Sequence, residues 1–530
     1  MNLNNNINST QEVNDLVAKA KSAQLEYKHF SQAQVDKIVK AMADAGYEAS
    51  ERLAKLAHQE TGFGIWQDKV IKNQFGSRTV YESIKDLKTV GVIDVTEGGK
   101  IINIAEPMGV VAGLVPSTNP TSTAMFKAII SLKTRNAIVI SPHPKAAQCT
   151  KDALEVVSRA AENAGAPKGL MQCMSAPTLE STSALMKHKD IAVILATGST
   201  PMVKAAYSAG TPAYGVGSGN VPAFVERSAN YEKAVLDILG GTTFDNGTLC
   251  SSEQSMIVDR PLVEKVKKFA KANGGYFLCE NEKTKLEKAV LKDGRINPEI
   301  VGKSAIYIAK YAGFKVPEET KVLLAECTSV GKIEPLSVEK LSPILAFYQV
   351  DGWLEGCHRC IELLNFGGVG HTMSIHSSDP EIIMKFAMEK PAFRIIANSP
   401  SSLGAVGYTT ALAPSLTLGV GTWGGSIISE NVTAKHLLNI KTLAFEVTPI
   451  NKGASVNSLG NTQVGSSFSG EGSFIKIIED RLRARAGNPV IKTSYNNGTF
   501  SSRSKGNNNK IFGGGISESE IQKIIKDFSS

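Results

Sequence analysis

Apolar positions recur at three-and-four spacing from Glu12 to Gly46. Val13, Leu16 and Val17 open one stripe, and Val35, Ile38, Val39 and Met42 continue another. That period predicts helix, and helix continues to about Lys88. Val90–Val95 and Lys100–Ile104 are short β-rich runs around Glu97-Gly-Gly99, which predicts a hairpin over 90–104. From Gly109 the pattern changes. Gly109–Val115 is almost continuously apolar, as a strand covered on both faces should be. A helix follows at Thr121–Lys133, then strand Ala137–Ile140, helix Lys145–Ala164, strand Leu170–Met174, helix Leu179–His188 and strand Ile191–Ala196. Repeated βαβ units with short connections predict an α/β fold with a parallel, doubly wound sheet. Such sheets bind ligands at the carboxyl ends of their strands.

A second α/β region runs from about Pro222 to Glu430. It holds a predicted helix near Leu262–Asn273 and strand-like runs at Ala305–Ile308 and Pro343–Tyr348. A glycine turn follows at Phe366-Gly-Gly-Val-Gly-His371, and Thr433–Glu446 leads into a further strand. Beyond Pro449 the composition shifts. The stretches 451–470 and 494–515 are rich in Gly, Ser and Asn and read as flexible linkers. Between them, Phe474, Ile477, Ile478 and Leu482 share one helical face within 473–486. At the end, Ser517 and Glu520 form a capping-box pattern, and Ile521, Ile524, Ile525 and Phe528 form an apolar stripe. A helix that short is marginal alone and is expected to fold against a partner.

The chain has 530 residues, enough for two or three domains. No apolar run approaches bilayer-spanning length, so no membrane span is expected. The N-terminus is polar and lacks a signal-peptide core, which predicts a cytoplasmic protein. The 7 cysteines are scattered and odd in number, which favours free thiols in a reducing compartment. Cys357-His-Arg-Cys360 has no second ligand pair at zinc spacing, so it reads as two cysteines on one helix face, with no metal site. Of the net charge of +8, most lies from Asn451 onward, where 11 basic residues face 6 acidic ones. No basic stripe with interleaved aromatics appears, which argues against nucleic-acid binding.

The candidate chemistry centres on Gly240–Gln254. Cys250 stands there among small and polar residues behind a glycine turn, without apolar alternation. A thiol so held, near backbone N–H groups, suits attack on a carbonyl and a thioester product. A buried hydrophobic cysteine is the alternative. In Pro116-Ser-Thr-Asn-Pro120, Asn119 lies between strand and helix. Its amide is either an oxyanion donor or an ordinary N-cap. Thr197-Gly-Ser-Thr-Pro201 follows a strand and opens a helix, a setting that suits a pyrophosphate. It is not a G-x-G-x-x-G, since Val203 stands where the last glycine would be.

Five separated stretches, in order, resemble the aldehyde dehydrogenase superfamily, and more narrowly its CoA-acylating branch. They are Pro116-Ser-Thr-Asn-Pro-Thr, Ser141-Pro-His-Pro-Lys145, the Cys250 loop, Glu339-Lys-Leu-Ser-Pro343 and Leu416-Thr-Leu-Gly-Val-Gly-Thr-Trp-Gly-Gly425. The resemblance covers about Val13 to Pro449. It implies an NAD(P)-binding domain over 1–221, a catalytic cysteine domain over 222–431, and an oligomerisation arm combining the 90–104 hairpin with 432–449. A linker over 450–515 and a terminal helix over 516–530 would follow. By the same resemblance Cys250 is the nucleophile, Asn119 and the Cys250 N–H form the oxyanion hole, and His371 is an acid/base group. Cofactor contacts would come from Ser117 and Thr118, from Ser141, Pro142, His143 and Pro144, and from Thr197, Gly198, Ser199 and Thr200. Val216, Gly217, Glu339 and Leu341 would complete them, with Glu339 on the nicotinamide ribose. Hydrolytic relatives carry a glutamate where Val216 stands. A valine cannot activate water, so the resemblance implies transfer of the acyl group to coenzyme A. The expected cofactor is NAD, with NADP possible, and the expected aldehyde is acetaldehyde or propionaldehyde. A homo-oligomer, dimer or tetramer, is implied. The tail resembles an encapsulation peptide, which implies a shell protein as partner and a bacterial microcompartment as location.

Overall fold

The computed structural model describes residues 3–448 and 450. The two predicted tail helices and their linkers lie outside the described residues. The first helical stretch is two helices, Leu3–Tyr27 and Gln32–Glu48, rather than one. Ser31 starts the second with a reciprocal capping box to Gln34. Val13, Val17, Val35, Ile38, Val39 and Met42 are buried, as the stripe requires.

The strands β1 (Gly91–Thr96) and β2 (Ile101–Pro107) pair antiparallel, with Thr96 opposite Ile101. Then β3 (Val110–Val115), β4 (Ala137–Pro142), β5 (Met171–Cys173), β6 (Ile191–Thr197) and β7 (Ala213–Val216) form a parallel sheet in the order β5-β4-β3-β6-β7. All residues of β3 and β4 are buried, because helices cover both faces. The order of strands runs outward one way from β3 to β5 and the other way from β6 to β7, so a crevice opens past the carboxyl ends of β3 and β6.

A second parallel sheet contains β8 (Val221–Val225), β9 (Glu253–Asp259) and β10 (Gly275–Phe277). A small ribbon, β11 (Leu291–Lys292) with β12 (Arg295–Ile296), interrupts it in sequence. The sheet continues with β13 (Val322–Glu326), β14 (Ile344–Val350), β15 (Gly370–His376) and β16 (Ala392–Ala397), in the order β10-β13-β14-β9-β8-β15-β16. Finally β17 (Leu438–Ala444) pairs antiparallel with β2, with Leu438 opposite Pro107, making a three-stranded sheet with β1.

One element differs in type from expectation. Ala305–Ile308 is not a strand but the start of helix Ala305–Ala312. Ser304 caps it by accepting the Tyr307 N–H, and Gly313 ends it in the left-handed conformation. A four-residue apolar run fits either period, and the caps decide it. Cys357 and Cys360 are both buried on one face of helix Gly352–Phe366. Among the described residues, no helix is long and apolar enough to cross a membrane.

Candidate active site

Loops at the carboxyl ends of β3, β4, β6 and β7 share one cavity with the loops that lead into β8, β9 and β14. Its volume is about 610 Å³. From the first sheet it is lined by Ser117, Thr118 and Asn119 after β3, by Ser141, Pro142, His143 and Pro144 at the end of β4, and by Thr197, Gly198 and Ser199 after β6. Val216 and Gly217 line it at the crossing from β7 to β8; Glu339 and Leu341 line it ahead of β14. Cys250, just before β9, lines the same cavity. Two expected residues are not on the wall. Thr200 opens helix Thr200–Tyr207, and its hydroxyl accepts the Ser218 N–H at 3.4 Å. His371 is fully buried, with Nδ1 2.9 Å from the Thr372 hydroxyl and Nε2 without a protein partner.

The Cys250 loop is held by an unusual backbone. Asp245, Asn246 and Gly247 all have positive φ (51°, 52° and 73°). Besides glycine, short polar side chains with hydrogen-bond partners tolerate this best. Asp245 is held by one local partner and by others remote in sequence: its Oδ1 accepts the Ile65 N–H at 2.7 Å, and its Oδ2 accepts from Thr248 Oγ1 at 2.7 Å and Lys69 Nζ at 2.9 Å. Lys72 Nζ donates to the same Oδ2. The approach demands a glycine at 64, since a Cβ there would stand 1.8 Å from Asp245 Oδ1. Gly219 is under similar constraint, wedged between the Cys250 carbonyl and the His371 ring, 2.3 Å and 3.0 Å from where its Cβ would be.

Asn119 occupies the cap position of helix Pro120–Lys133 but makes no side-chain cap bond. Its amide turns instead toward the Cys250 loop, with Nδ2 3.1 Å from Thr118 Oγ1 and 3.4 Å from the Thr248 carbonyl. The ordinary N-cap alternative therefore fails here.

Electrostatics set the resting protonation. Burial pushes the Cys250 thiol up to about 12, the Glu339 charge pushes the same way, and Arg394 opposes both. Burial also raises Glu339 to about 7, against the Gly219 N–H, which donates to its Oε1 at 2.8 Å. Burial, then Arg394, pushes His371 down to about 3, so its imidazole is neutral at pH 7. Lys69, Lys72 and Asp245 were not singled out by sequence reasoning. Helix Trp66–Gln74 carries no apolar stripe, and nothing local announces that two of its lysines are buried.

The cavity suits a dinucleotide. Ser199 precedes the helix after β6 as its cap residue and makes no side-chain cap bond, so N–H groups at the helix start are free for a phosphate. Thr197, Gly198 and Ser199 bring that helix start to the cavity wall. No group of three or more His, Cys, Asp or Glu able to hold a metal occurs among the described residues.

The family profile described as "Aldehyde dehydrogenase family" matches residues 6–274. The bifunctional aldehyde-alcohol dehydrogenase of Escherichia coli is 47% identical over 443 residues, 83% of this chain and 50% of that protein. This chain thus spans about half the length of that curated relative. The crystal structure of an acetylating aldehyde dehydrogenase from Geobacillus thermoglucosidasius superposes with a TM-score of 0.83 at 50% identity, covering 84% of this chain and 99% of that one. A propionaldehyde dehydrogenase from a Clostridium phytofermentans fucose-utilisation microcompartment superposes with a TM-score of 0.74 at 28% identity, covering 82% and 97%. With thiol, amide and dinucleotide crevice in one cavity, and with these likenesses along its length, the chain belongs to the aldehyde dehydrogenase family.

Proposed function

We propose that the chain is a CoA-acylating aldehyde dehydrogenase. It converts a short aldehyde, coenzyme A and NAD+ to acyl-CoA and NADH, with NAD preferred to NADP. Cys250 adds to the aldehyde carbon, and Asn119 with the Cys250 N–H bonds the tetrahedral oxyanion. The nicotinamide, when bound, supplies the hydride acceptor. An acyl thioester then remains on Cys250 until the thiol of coenzyme A displaces it, and thiol-for-thiol exchange lets the reaction run in either direction.

The observation that carries this reading is Val216. It is buried and lines the cavity with Cys250, and a hydrocarbon side chain leaves water unactivated. Glu339 is the only carboxylate on the wall among the described residues, and its Oε1 is taken by the Gly219 N–H. The assay is NADH formation from acetaldehyde and from propionaldehyde, with and without coenzyme A. Strict dependence on coenzyme A supports the reading; equal rates without it select a hydrolytic enzyme, and no NADH selects an idle site. Retained acyl-CoA formation by Cys250→Ala would overturn the assignment of the nucleophile.

His371 is the candidate acid/base group of this scheme, supported by its unpartnered Nε2 and by a ring that packs, like the Cys250 carbonyl, against Gly219. The three-stranded sheet is the proposed oligomerisation arm, supported by its exposed apolar residues Val95, Ile440 and Leu443. Light scattering of the purified chain tests it. The segment 516–530 is the proposed shell-binding helix, with 473–486 the rival, in a microcompartment in the cytoplasm. Unchanged co-sedimentation with shells after deletion beyond Gly515 counts against the terminal helix.

A further inference from the structure

A carboxamide is nearly symmetric in shape, so exchanging its oxygen and nitrogen changes its chemistry but hardly its packing. Asn119 presents a donor to the cavity only if another group claims its oxygen. Lys72 claims it. The ammonium has donors only, and Nζ lies 2.6 Å from Asn119 Oδ1. Its remaining N–H groups go to Thr248 Oγ1 at 3.0 Å and to Asp245 Oδ2. All three ammonium hydrogens therefore have an acceptor, and the lysine cannot swing away without leaving one unmet.

Both ends of this bond are fixed. Lys72 and Asp245 are buried, and Lys69 shares the Asp245 carboxylate. Asp68 accepts the Asp245 N–H at 2.7 Å, which pins the left-handed turn before Cys250 to the lysine helix. Burying a lysine is costly unless its charge is paired. A simple bolt between helix and loop needs only Lys69 with Asp245, and Lys72 adds the bond to Asn119.

We infer that Lys72 is a positioning residue for catalysis: held by Asp245, it fixes the Asn119 amide with its NH2 group toward the oxyanion that forms at Cys250. This rests on the proposed function of Cys250 and Asn119. At rest the NH2 group donates to Thr118 Oγ1 at 3.1 Å and, at 3.4 Å, to the carbonyl of Thr248, two residues before Cys250, and the positive charge on the amide oxygen polarises these N–H bonds for exchange onto the oxyanion. The sequence separation between Lys72 and Asn119 is 47, and between Lys72 and Asp245 it is 173. Three segments distant in the chain thus converge on one amide.

The test is a double-mutant cycle in the full chain with Lys72→Met, Asn119→Ala and the pair, read as kcat and KM for CoA-dependent NADH formation. Thermal melting of each variant runs alongside. Lys72→Met is expected to lower kcat about a hundredfold, as loss of one oxyanion donor does, with KM changed less than about threefold. In the Asn119→Ala background it is expected to cost almost nothing more, because the amide it orients is gone. Full, multiplicative losses in the double mutant would overturn the inference, as would a kcat for Lys72→Met near that of the parent. If Lys72→Met unfolds, Lys72→Ala, which leaves Asp245 paired with Lys69, enters the same cycle. Cys250→Ala is run in parallel. Activity retained there overturns the reading of the site itself, whereas an inactive Cys250→Ala with a multiplicative cycle overturns the role of Lys72 alone.

Discussion

The resting state of Cys250, the proposed nucleophile, can be measured directly. Burial and the nearby Glu339 charge raise Cys250 from 9 to about 12. At pH 8 a thiol of the first kind is about one-tenth ionised, and one of the second about one part in ten thousand, a ratio near a thousand. A more basic thiolate is also a better nucleophile, which recovers roughly twentyfold over three units. Alkylation of Cys250 by iodoacetamide in the cofactor-free protein should therefore run about fiftyfold slower than that of an unperturbed thiol at pH 8. The rate should keep rising about tenfold per pH unit through about pH 10 without a plateau. Peptide mass spectrometry is needed, because seven free cysteines compete for the reagent. Glu339→Gln removes the charge that raises the thiol while keeping an acceptor for the Gly219 N–H. It should speed alkylation at pH 8 and have little effect at pH 6, where the parent carboxyl, raised to about 7, is already protonated. A plateau with a midpoint at or below about pH 9 in the parent would refute the role of burial. No change at pH 8 in Glu339→Gln would refute the role of the neighbouring charge.

Other consequences follow from the same geometry. Val216→Glu should bring some NADH formation without coenzyme A, measured with acetaldehyde; complete dependence on coenzyme A would mean that the new carboxylate reaches no water near Cys250. Gly64→Ala adds a Cβ 1.8 Å from Asp245 Oδ1 at a φ of 70°. It should destabilise by about 3 kcal/mol or more in urea melts, the scale of a broken buried ion pair. Asp245 ends below its ordinary value: burial pushes it up, and Lys72 and Lys69 together outweigh that. A carboxyl lowered on folding adds stability above its unfolded value and loses it on acidification, so Asp245→Asn should flatten the acid limb of stability against pH, followed by melting between about pH 5 and 2. His371, pushed down to about 3, stays neutral throughout the working range of the enzyme, so His371→Gln should leave the acid limb of kcat unmoved in a pH–rate profile.

Much of the fold was legible in local pattern. Buried parallel strands such as Val110–Val115 announce themselves as unbroken apolar runs, because both faces are covered. The hairpin of β1 and β2 was readable from its glycines, and Cys250 stood out by the absence of apolar alternation around it. Val216 pointed to the reaction class only through the family resemblance, since hydrolytic relatives carry a glutamate there. Short runs were less secure: Ala305–Ile308 fits strand or helix until Ser304 and Gly313 are seen to cap it.

Only the tertiary structure decided the rest. Lys69 and Lys72 look like solvated charges on a polar helix, and become buried partners because Asp245 arrives from far along the chain. The direction of the Asn119 amide, the protonation of Cys250 and the need for glycine at 64 likewise depend on neighbours remote in sequence. Periodicity records which face of an element leaves water, so the chain alone determined most of its strands and helices and singled out its candidate nucleophile. Charge pairing, desolvation and close approach depend on what meets across a cleft, and those the fold alone could set.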